Sequence, residues 1–343
     1  MSVSKKAFSD AATLYTIENK NGMQVVVSDF GGVLQALRVP DKNGDLVDVV
    51  CGYDTVEEYQ NNPQYQGQLV GRFANRIGGA EFTLQGETYK LDANEGKNVL
   101  HGGFKPYGIR MWDARTEENA VEFTLLSPDG DQGMPGNATI SVIYRLSEEN
   151  ALHIKYHAVA DKDTYFNLTN HAYFNLAGHD SGTIMDQYMQ LACSKITAID
   201  AEFIPTGELM DVTGTAMDFL EEKQIGRDID MRECEQIQMG NGYDHNYVID
   251  EPGYDKPFVR CFSEKSGIVM EGYTDLPGVQ VYSGNNMGAV KGGKGGAYYP
   301  CHGGFCLETQ YFPDTPNKSN FPSCFYQAGQ AFESETIYKF SKL

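Results

Sequence analysis

The sequence predicts an all-β fold, a large antiparallel β-sandwich forming a single domain over residues 1–343, with very little helix. Apolar and polar residues alternate through many short runs, which is the period expected of strands with one buried face. The 37 glycines and 13 prolines lie largely between these runs, where turns are expected. Hydrophobic residues make up 41% of the chain, which is enough for a large core.

The strand patterns are clearest in four places. Residues 81–91 contain two alternating arms around a Gln-Gly-Glu turn, which predicts a hairpin. Residues 151–158 place apolar side chains on one face and polar side chains on the other. Residues 259–273 and 278–282 are rich in β-branched and aromatic residues and are bounded by glycine. Together these runs favour a body made of two packed sheets.

Helical signals are limited to two short stretches, residues 56–61 and 221–229. Residues 288–296 form a glycine-rich loop, but they lack the Lys-Ser/Thr ending of a phosphate-binding P-loop. No helix pattern follows to supply a positive N-terminus for phosphate. We therefore predict an ordinary loop at this position.

The chain is strongly acidic, with a formal net charge of −20 from 27 basic and 47 acidic side chains. A field of this sign repels phosphate backbones and anionic membranes, so we expect no nucleic-acid or membrane partner. No apolar run approaches the length that spans a bilayer, and the amino-terminal residues do not read as a secretory signal. Seven scattered cysteines are typical of reduced thiols. We expect a cytoplasmic protein, although Ser341, Lys342 and Leu343 resemble a peroxisomal address.

Metal-ligand residue types occur twice without completing a site. His153 and His157 have the spacing that chelates zinc on a helix, but four residues along a strand separate them by about 13 Å. Cys301, His302 and Cys306 offer suitable ligand atoms but no second pair to complete a tetrahedron. We expect no metal at either place.

Three segments carry polar groups where strand cores are expected. Residues 167–176 read as a strand with one polar face, and residues 242–246 are a polar cluster entering a strand. Glu308 is an isolated acid that follows an apolar approach. Buried polar groups are costly unless they are satisfied, so a ligand-binding face is one explanation. A structural hydrogen-bond network explains each segment alone equally well.

Nine short motifs, in one order along nearly the whole chain, resemble those of the galactose mutarotase family. They lie at residues 71–77, 100–103, 127–130, 133–136, 167–171, 204–207, 244–246, 280–282 and 307–309. The resemblance implies an antiparallel β-supersandwich with an open cleft on one sheet. It also implies an aldose 1-epimerase, an isomerase that interconverts the anomers of free aldoses such as galactose and glucose.

The resemblance assigns the roles of eight residues. Glu308 matches the family's general base for the anomeric hydroxyl, and His171 matches its general acid for the ring oxygen. His101 is a second imidazole near that oxygen, and Asp244 hydrogen-bonds sugar hydroxyls. The pocket is completed by Asn75, Arg76, Gln280 and, on the polar face it shares with His171, Tyr173. Arg72 competes with Arg76 for the arginine role, and we expect Arg72 to form a salt bridge outside the site.

The expected chemistry needs no cofactor, because ring opening moves protons and neither electrons nor groups. Near neutral pH the ordinary charge states are a carboxylate base and a protonated imidazole acid. The expected partner is a monosaccharide, with the protein a monomer or a homodimer. Asn286 stands where relatives often carry an aromatic residue, which implies a different pocket edge.

Three other activities fit parts of the pattern. An epimerase of hexose 6-phosphates would need a cationic phosphate clamp, which the acidic chain does not suggest. A non-catalytic sugar-binding protein of the same fold would have no reason to keep both Glu308 and His171. A glycosidase usually needs two carboxylates beside the scissile bond, whereas the pair here is a carboxylate and an imidazole.

Overall fold

The computed structural model describes residues 2–288 and 292–343, and in these residues antiparallel strands dominate. The largest sheet has nine strands. In spatial order these are Asp113–Thr116, Ala120–Ser127, Ala138–Leu146, Ala151–Ala160, Phe332–Lys342, Ile268–Thr274, Val259–Phe262, Tyr188–Leu191 and Lys223–Gln224. The predicted all-β sandwich class is confirmed.

A six-stranded sheet packs against the nine-stranded sheet. Its strands, in spatial order, are Tyr173–Phe174, Phe305–Gln310, Gly278–Tyr282, Asp244–Val248, Lys195–Ile199 and Pro205–Asp211. Leu307 and Val279 of this sheet share one buried core with Tyr338 of the larger sheet. The Tyr338 hydroxyl also donates a 2.6 Å hydrogen bond to the Leu307 carbonyl.

The remaining strands form one five-stranded sheet and four small two-stranded sheets. The five-stranded sheet runs in chain order through Ser2–Ala7, Thr13–Glu18, Gln24–Ser28, Leu34–Pro40 and Leu46–Asp48. The pairs are Arg76–Ile77 with Val99–Leu100, Glu81–Leu84 with Glu87–Lys90, Leu69–Val70 with Thr169–Asn170, and Thr164–Tyr165 with Phe325–Tyr326. The predicted hairpin at 81–91 is therefore confirmed.

Helices are short. The described residues contain two α-helices, Val56–Gln60 and Glu235–Gly240, and 3-10 turns at Gly78–Ala80, Tyr107–Ile109, Asp131–Gly133, Lys294–Gly296 and Thr315–Asn317. None of these helices is long and apolar enough to cross a membrane. The first α-helix confirms the prediction at 56–61 and starts with a capping box between Thr55 and Glu58.

The helix predicted at 221–229 is wrong. This segment contains turns and one short strand, which positions Lys223 with its side chain almost fully buried. The Lys223 ammonium donates to the Ala216 carbonyl at 2.8 Å and to the Asp228 carboxylate at 2.7 Å. These tertiary partners outweigh the weak local propensity for helix.

Two further predictions are modified by the structure. Residues 167–176 do not form one strand. Before His171 the chain pairs with Leu69–Val70, and after His171 it pairs within the six-stranded sheet. In the predicted loop 288–296, Lys294–Gly296 is a 3-10 turn, and positions 289–291 lie outside the described residues. The predicted strands at 151–158 and 278–282 are confirmed, and 259–273 is two paired strands.

Candidate active site

A polar stripe covers one face of the six-stranded sheet. Glu308 pairs with Gln280 across neighbouring strands, and Gln280 pairs in turn with Asn246. Directly paired residues point to the same face, and so does Asp244, which precedes Asn246 by two positions. The opposite face carries apolar residues such as Leu307 and Val279, which enter the core. Strand alternation therefore presents the polar side chains together on one side.

Two small strands bring a second group of predicted residues to this face. Arg76 pairs with Leu100, so Asn75 and Arg76 lie beside the residue that follows, His101. The backbone N–H of Asn75 donates to His101 Nδ1 at 3.1 Å, and the His101 N–H donates back to the Asn75 carbonyl at 3.2 Å. Two motifs whose bonded residues are 26 positions apart in the sequence thus form one unit.

His171 lies at the point where its segment changes sheets. Its N–H donates to the Gln68 carbonyl and its carbonyl accepts from the Gly67 N–H, both at 2.9 Å. The imidazole lies between two tyrosine rings in stacked geometry, with centroids 5.8 Å from Tyr65 and 5.1 Å from Tyr173. Backbone and ring contacts together hold the imidazole in one orientation.

These elements enclose a cleft of about 630 Å³, counted to its open mouth. All eight residues predicted for the site line it. The lining residues are Pro63, Gln64, Tyr65, Asn75, Arg76, Glu95, Leu100, His101, His171, Tyr173, Asp244, Gln280, Tyr282, Asn286 and Glu308. The structure therefore brings together the whole predicted set, with Asn286 at the exposed edge.

Glu308 and His171 face each other across this cleft. Glu308 Oε1 lies 3.6 Å from His171 Nε2, and the two side chains are 2% and 6% exposed. Glu308 Oε2 is buried without a hydrogen-bond partner among the described residues. A buried, unpartnered carboxyl oxygen is costly in a purely structural role, and such atoms are common where a ligand binds.

Burial changes the charge states expected from ordinary pKa values. It raises the pKa of Glu308 well above its usual range, and the nearby Asp244 carboxylate raises it further, against the opposing effect of Arg76. Burial lowers the pKa of His171 to about 4. A neutral carboxyl with a neutral imidazole is therefore favoured in the free site, whereas the sequence suggested a carboxylate with an imidazolium.

His101 is held in one tautomer. Its Nδ1 accepts a hydrogen bond from a backbone amide, so the proton of the neutral ring is on Nε2. Burial lowers the pKa of His101 well below its usual range, as do the neighbouring His171 and Arg76. His101 can therefore donate from Nε2 as a neutral group.

Three residues around the cleft have left-handed backbone conformations that are uncommon outside glycine. The φ angles are +53° at Tyr65, +66° at Asn75 and +51° at His101. Such conformations cost about 1–3 kcal/mol each and concentrate at functional sites. The surrounding hydrogen bonds offset this conformational cost, so the cleft is rigid before a ligand binds.

Arg76, and not Arg72, lines the cleft. Arg72 is fully buried elsewhere, and its guanidinium donates to the carbonyls of Pro135, Gly136 and Ser127 and to the Ser127 hydroxyl at 2.7–3.2 Å. The salt bridge expected for Arg72 is wrong, because its partners are carbonyl and hydroxyl oxygens. The motifs at 127–130 and 133–136 thus hold a structural arginine outside the site.

We expect Arg72→Met to lower the free energy of unfolding by about 3 kcal/mol, because several buried oxygens lose their donor. Arg115→Met is the matched control, since the exposed Arg115 forms a surface ion pair with Glu117 and its replacement should change stability by less than about 1 kcal/mol. Urea titration measures both variants. Equal midpoints for the two would contradict the structural role of Arg72.

Several lining residues were not predicted from the sequence, notably Tyr65 and Glu95. Tyr65 contacts both imidazoles, with its ring centroid 4.8 Å from that of His101. Glu95 accepts two hydrogen bonds from Arg76, at 2.7 Å from Nε and 2.9 Å from Nη2. Both lie in polar loops without periodicity, so no pattern in the sequence marks them.

The sequence offered two groups of candidate metal ligands, His153 with His157 and Cys301 with His302 and Cys306. These two groups lie in different parts of the structure. His153 is bonded to Glu335 on the nine-stranded sheet, and the Cys306 thiol packs on His171 Nδ1 at 3.5 Å. Ligand atoms of His101, His171 and Glu308 do lie within 4.8 Å of one another, and these are types that zinc accepts. The expected absence of a metal stays a prediction.

Comparisons with known proteins identify the family of the chain. A model of the aldose 1-epimerase family matches residues 13–339. The chain is 39% identical to galactose mutarotase of Bos taurus, covering 99% of both proteins, and 34% identical to aldose 1-epimerase of Escherichia coli K12, covering 95% and 94%.

Solved structures are similar as well. The crystal structure of an aldose epimerase homologue from C. elegans has a TM-score of 0.89 and 31% identity, covering 97% of this chain and all of that one. Galactose 1-epimerase from Lactobacillus acidophilus has a TM-score of 0.86 and 27% identity, covering 99% and 98%. Because the family model covers residues 13–339 and these relatives are 34–39% identical over nearly their whole length, the chain belongs to the aldose 1-epimerase family.

Proposed function

We propose that the protein interconverts the α and β anomers of free aldoses such as galactose and glucose. The observation that carries this proposal is the Glu308–His171 pair, whose polar atoms lie 3.6 Å apart in an open polar cleft. A carboxyl and an imidazole at this separation can exchange protons with the hydroxyl and the ring oxygen of one hemiacetal.

In the proposed reaction Glu308 accepts the proton of the anomeric hydroxyl, while His171 Nε2–H protonates the ring oxygen. The bond between the anomeric carbon and the ring oxygen breaks, which leaves an open-chain aldehyde. Rotation about the adjacent carbon–carbon bond exposes the other carbonyl face. Ring closure then returns both protons to their donors and gives the other anomer.

This cycle uses a pair that holds one proton. Ring opening moves that proton from His171 to Glu308 by way of the sugar, which leaves a neutral carboxyl and a neutral imidazole. Burial favours this neutral arrangement. In the free site Glu308 holds this proton, so the proton passes to His171 when the closed sugar binds, and ring opening then returns it to Glu308.

The other lining groups are assigned to binding the sugar. Asp244 accepts from Gln280 Nε2 at 2.7 Å, which fixes the orientation of the Gln280 amide. Asp244, Gln280, Asn75 and Arg76 present donors and acceptors suited to hydroxyl groups, and the neutral His101 Nε2–H is a further donor. Tyr173 packs on His171 and donates to Gln64 at 3.4 Å.

Polarimetry of freshly dissolved α-galactose tests the proposal directly. The purified protein should accelerate the approach to the anomeric equilibrium, and EDTA should not change the rate. Inhibition by EDTA with recovery on adding zinc would contradict the cofactor-free reaction. No acceleration with galactose, glucose or arabinose would contradict the proposed function itself.

We expect kcat/KM to depend on pH as a bell, since only the pair with one proton is active. The acid limb reports a second proton on His171, whose pKa is lowered to about 4. The basic limb reports loss of the proton from Glu308, whose pKa is raised.

Asp244→Asn should move the basic limb to lower pH, because Asp244 raises the pKa of Glu308. Initial rates across pH, corrected for the uncatalysed reaction, measure the shift apart from any loss of affinity. An unchanged or raised basic midpoint would contradict the proposed coupling.

A further inference from the structure

The ion pair between Arg76 and Glu95 is not used by the proposed reaction. Arg76 Nε and Nη2 donate to the two Glu95 carboxylate oxygens, and the side chains are 10% and 37% exposed. A guanidinium has five N–H donors, so Nη1 and one Nη2 hydrogen stay available to a ligand. Phe203 covers the guanidinium at 4.7 Å from its ring centroid. Arg76 is thus held at the wall with one edge already occupied.

The charges of the cleft are unevenly divided. Among the described lining residues Arg76 is the only one with a fixed positive charge, while Glu95 and Asp244 are acids and burial favours the neutral form of Glu308. His101 and His171 have lowered pKa values and add no positive charge near neutral pH. An anionic ligand therefore meets a negative cleft whose one cation is already paired.

A free guanidinium in such a cleft would be a strong site for anions. Arginine binds carboxylate and phosphate groups through two parallel hydrogen bonds, and the interaction strengthens as water is excluded. Glu95 occupies one bidentate edge of Arg76 and neutralises its charge. The hydroxyl groups of a neutral sugar can bind to the N–H groups of Arg76 that Glu95 does not occupy. Because these hydroxyl groups carry no net charge, neutralising Arg76 does not weaken their binding.

We propose that Glu95 makes the cleft selective for neutral aldoses by neutralising Arg76, so that sugar acids and sugar phosphates are excluded. This inference rests on the proposed function and assigns its substrate class. Glu95 acts through Arg76 and is a specificity-determining, positioning residue rather than a catalytic one. Glu95 lies in a loop, outside the Phe305–Gln310 strand that carries Glu308.

The experiment compares three sugars on Glu95→Gln, which keeps the shape of the side chain and removes its charge. D-galactose is the neutral substrate, D-galacturonate carries a carboxylate, and D-galacturonamide has the same shape as galacturonate without the charge. Glu202→Gln is the matched control, because Glu202 pairs with Lys97 outside the cleft and its replacement changes the net charge equally. Glu95→Asp keeps the charge.

We expect Glu95→Gln to raise kcat/KM for galacturonate relative to galactose by about tenfold or more at low salt, since a paired cation becomes free. The ratio for galacturonamide should not change. Glu202→Gln and Glu95→Asp should keep the wild-type ratio. In the wild type, added salt should reduce the discrimination against galacturonate, because the unfavourable field is screened.

The inference is overturned if the galacturonate ratio of Glu95→Gln equals that of the wild type, including when both sugars lose activity together. If the variant has no measurable turnover, calorimetric titration with galacturonate decides, and binding no tighter than to the wild type overturns it. Turnover of galactose by the wild type is measured first. A wild type that does not turn over galactose would reject the proposed function. If the wild type is active and Glu95→Gln has the same galacturonate-to-galactose ratio, only the role of Glu95 is rejected.

Discussion

Glu308→Gln should lower kcat for galactose by about 10²–10⁴-fold while the protein still binds the sugar, because the amide keeps the shape of the side chain but cannot accept the anomeric proton. Polarimetry measures the rate, and calorimetric titration measures binding. Glu333→Gln, at an exposed position on the Phe332–Lys342 strand, is the matched control and should keep the wild-type rate.

The same variant should be more stable than the wild type near neutral pH. The folded-state pKa of Glu308 is raised, so the stability that its carboxyl contributes is fully present at pH values below the unfolded pKa. That stability is lost as pH rises through the folded pKa. The amide carries no charge and avoids this loss. An inactive variant with a higher melting temperature would separate loss of chemistry from loss of structure, whereas near-wild-type turnover would reject Glu308 as the base.

His171→Asn should lower kcat by about 10²-fold or more, since the ring oxygen loses its proton donor. Asparagine can still hydrogen-bond the sugar but cannot transfer a proton at neutral pH. His157→Asn is the control, as His157 lies on the Ala151–Ala160 strand of the nine-stranded sheet. Equal rates for the two histidine variants would reject the role assigned to His171.

The double variant Glu308→Gln with His171→Asn should be only slightly slower than the slower single variant. Groups that transfer one proton around a single cycle act as a unit, so removing the second has little further effect. Fully multiplicative losses would indicate that the two residues act in separate steps.

The candidate site could be predicted from the sequence where its residues belong to recognisable motifs. Glu308, His171 and the six binding residues all line the cleft, because the register of the strands and the paired segments at 76–77 and 99–100 bring the motifs together. Tyr65 and Glu95 were not predicted, since they lie in polar loops and act through contacts that only the folded chain provides. The charge states were also not predictable, because they depend on burial.

The fold was predictable where period and local chemistry agree. The strand at 278–282 and the hairpin at 81–91 carry their own alternation and turns, and both are observed. The segment at 221–229 has a weak helical pattern but does not form a helix. The hydrogen bonds from the buried Lys223 ammonium to Ala216 and Asp228 stabilise a non-helical conformation instead. The segment around His171 reads as one strand, but its backbone bonds divide between two sheets.

The residues that line the cleft come from segments spread between Pro63 and Glu308. Neither half of the chain contains both Glu308 and His101, so catalysis reports on completion of the whole fold rather than on any part of it. During refolding, turnover should return no earlier than the slowest pairing of the Phe305–Gln310 strand with its neighbours, even if most of the secondary structure forms before then. A nascent chain on the ribosome would accordingly stay inactive until the Phe305–Gln310 strand has emerged.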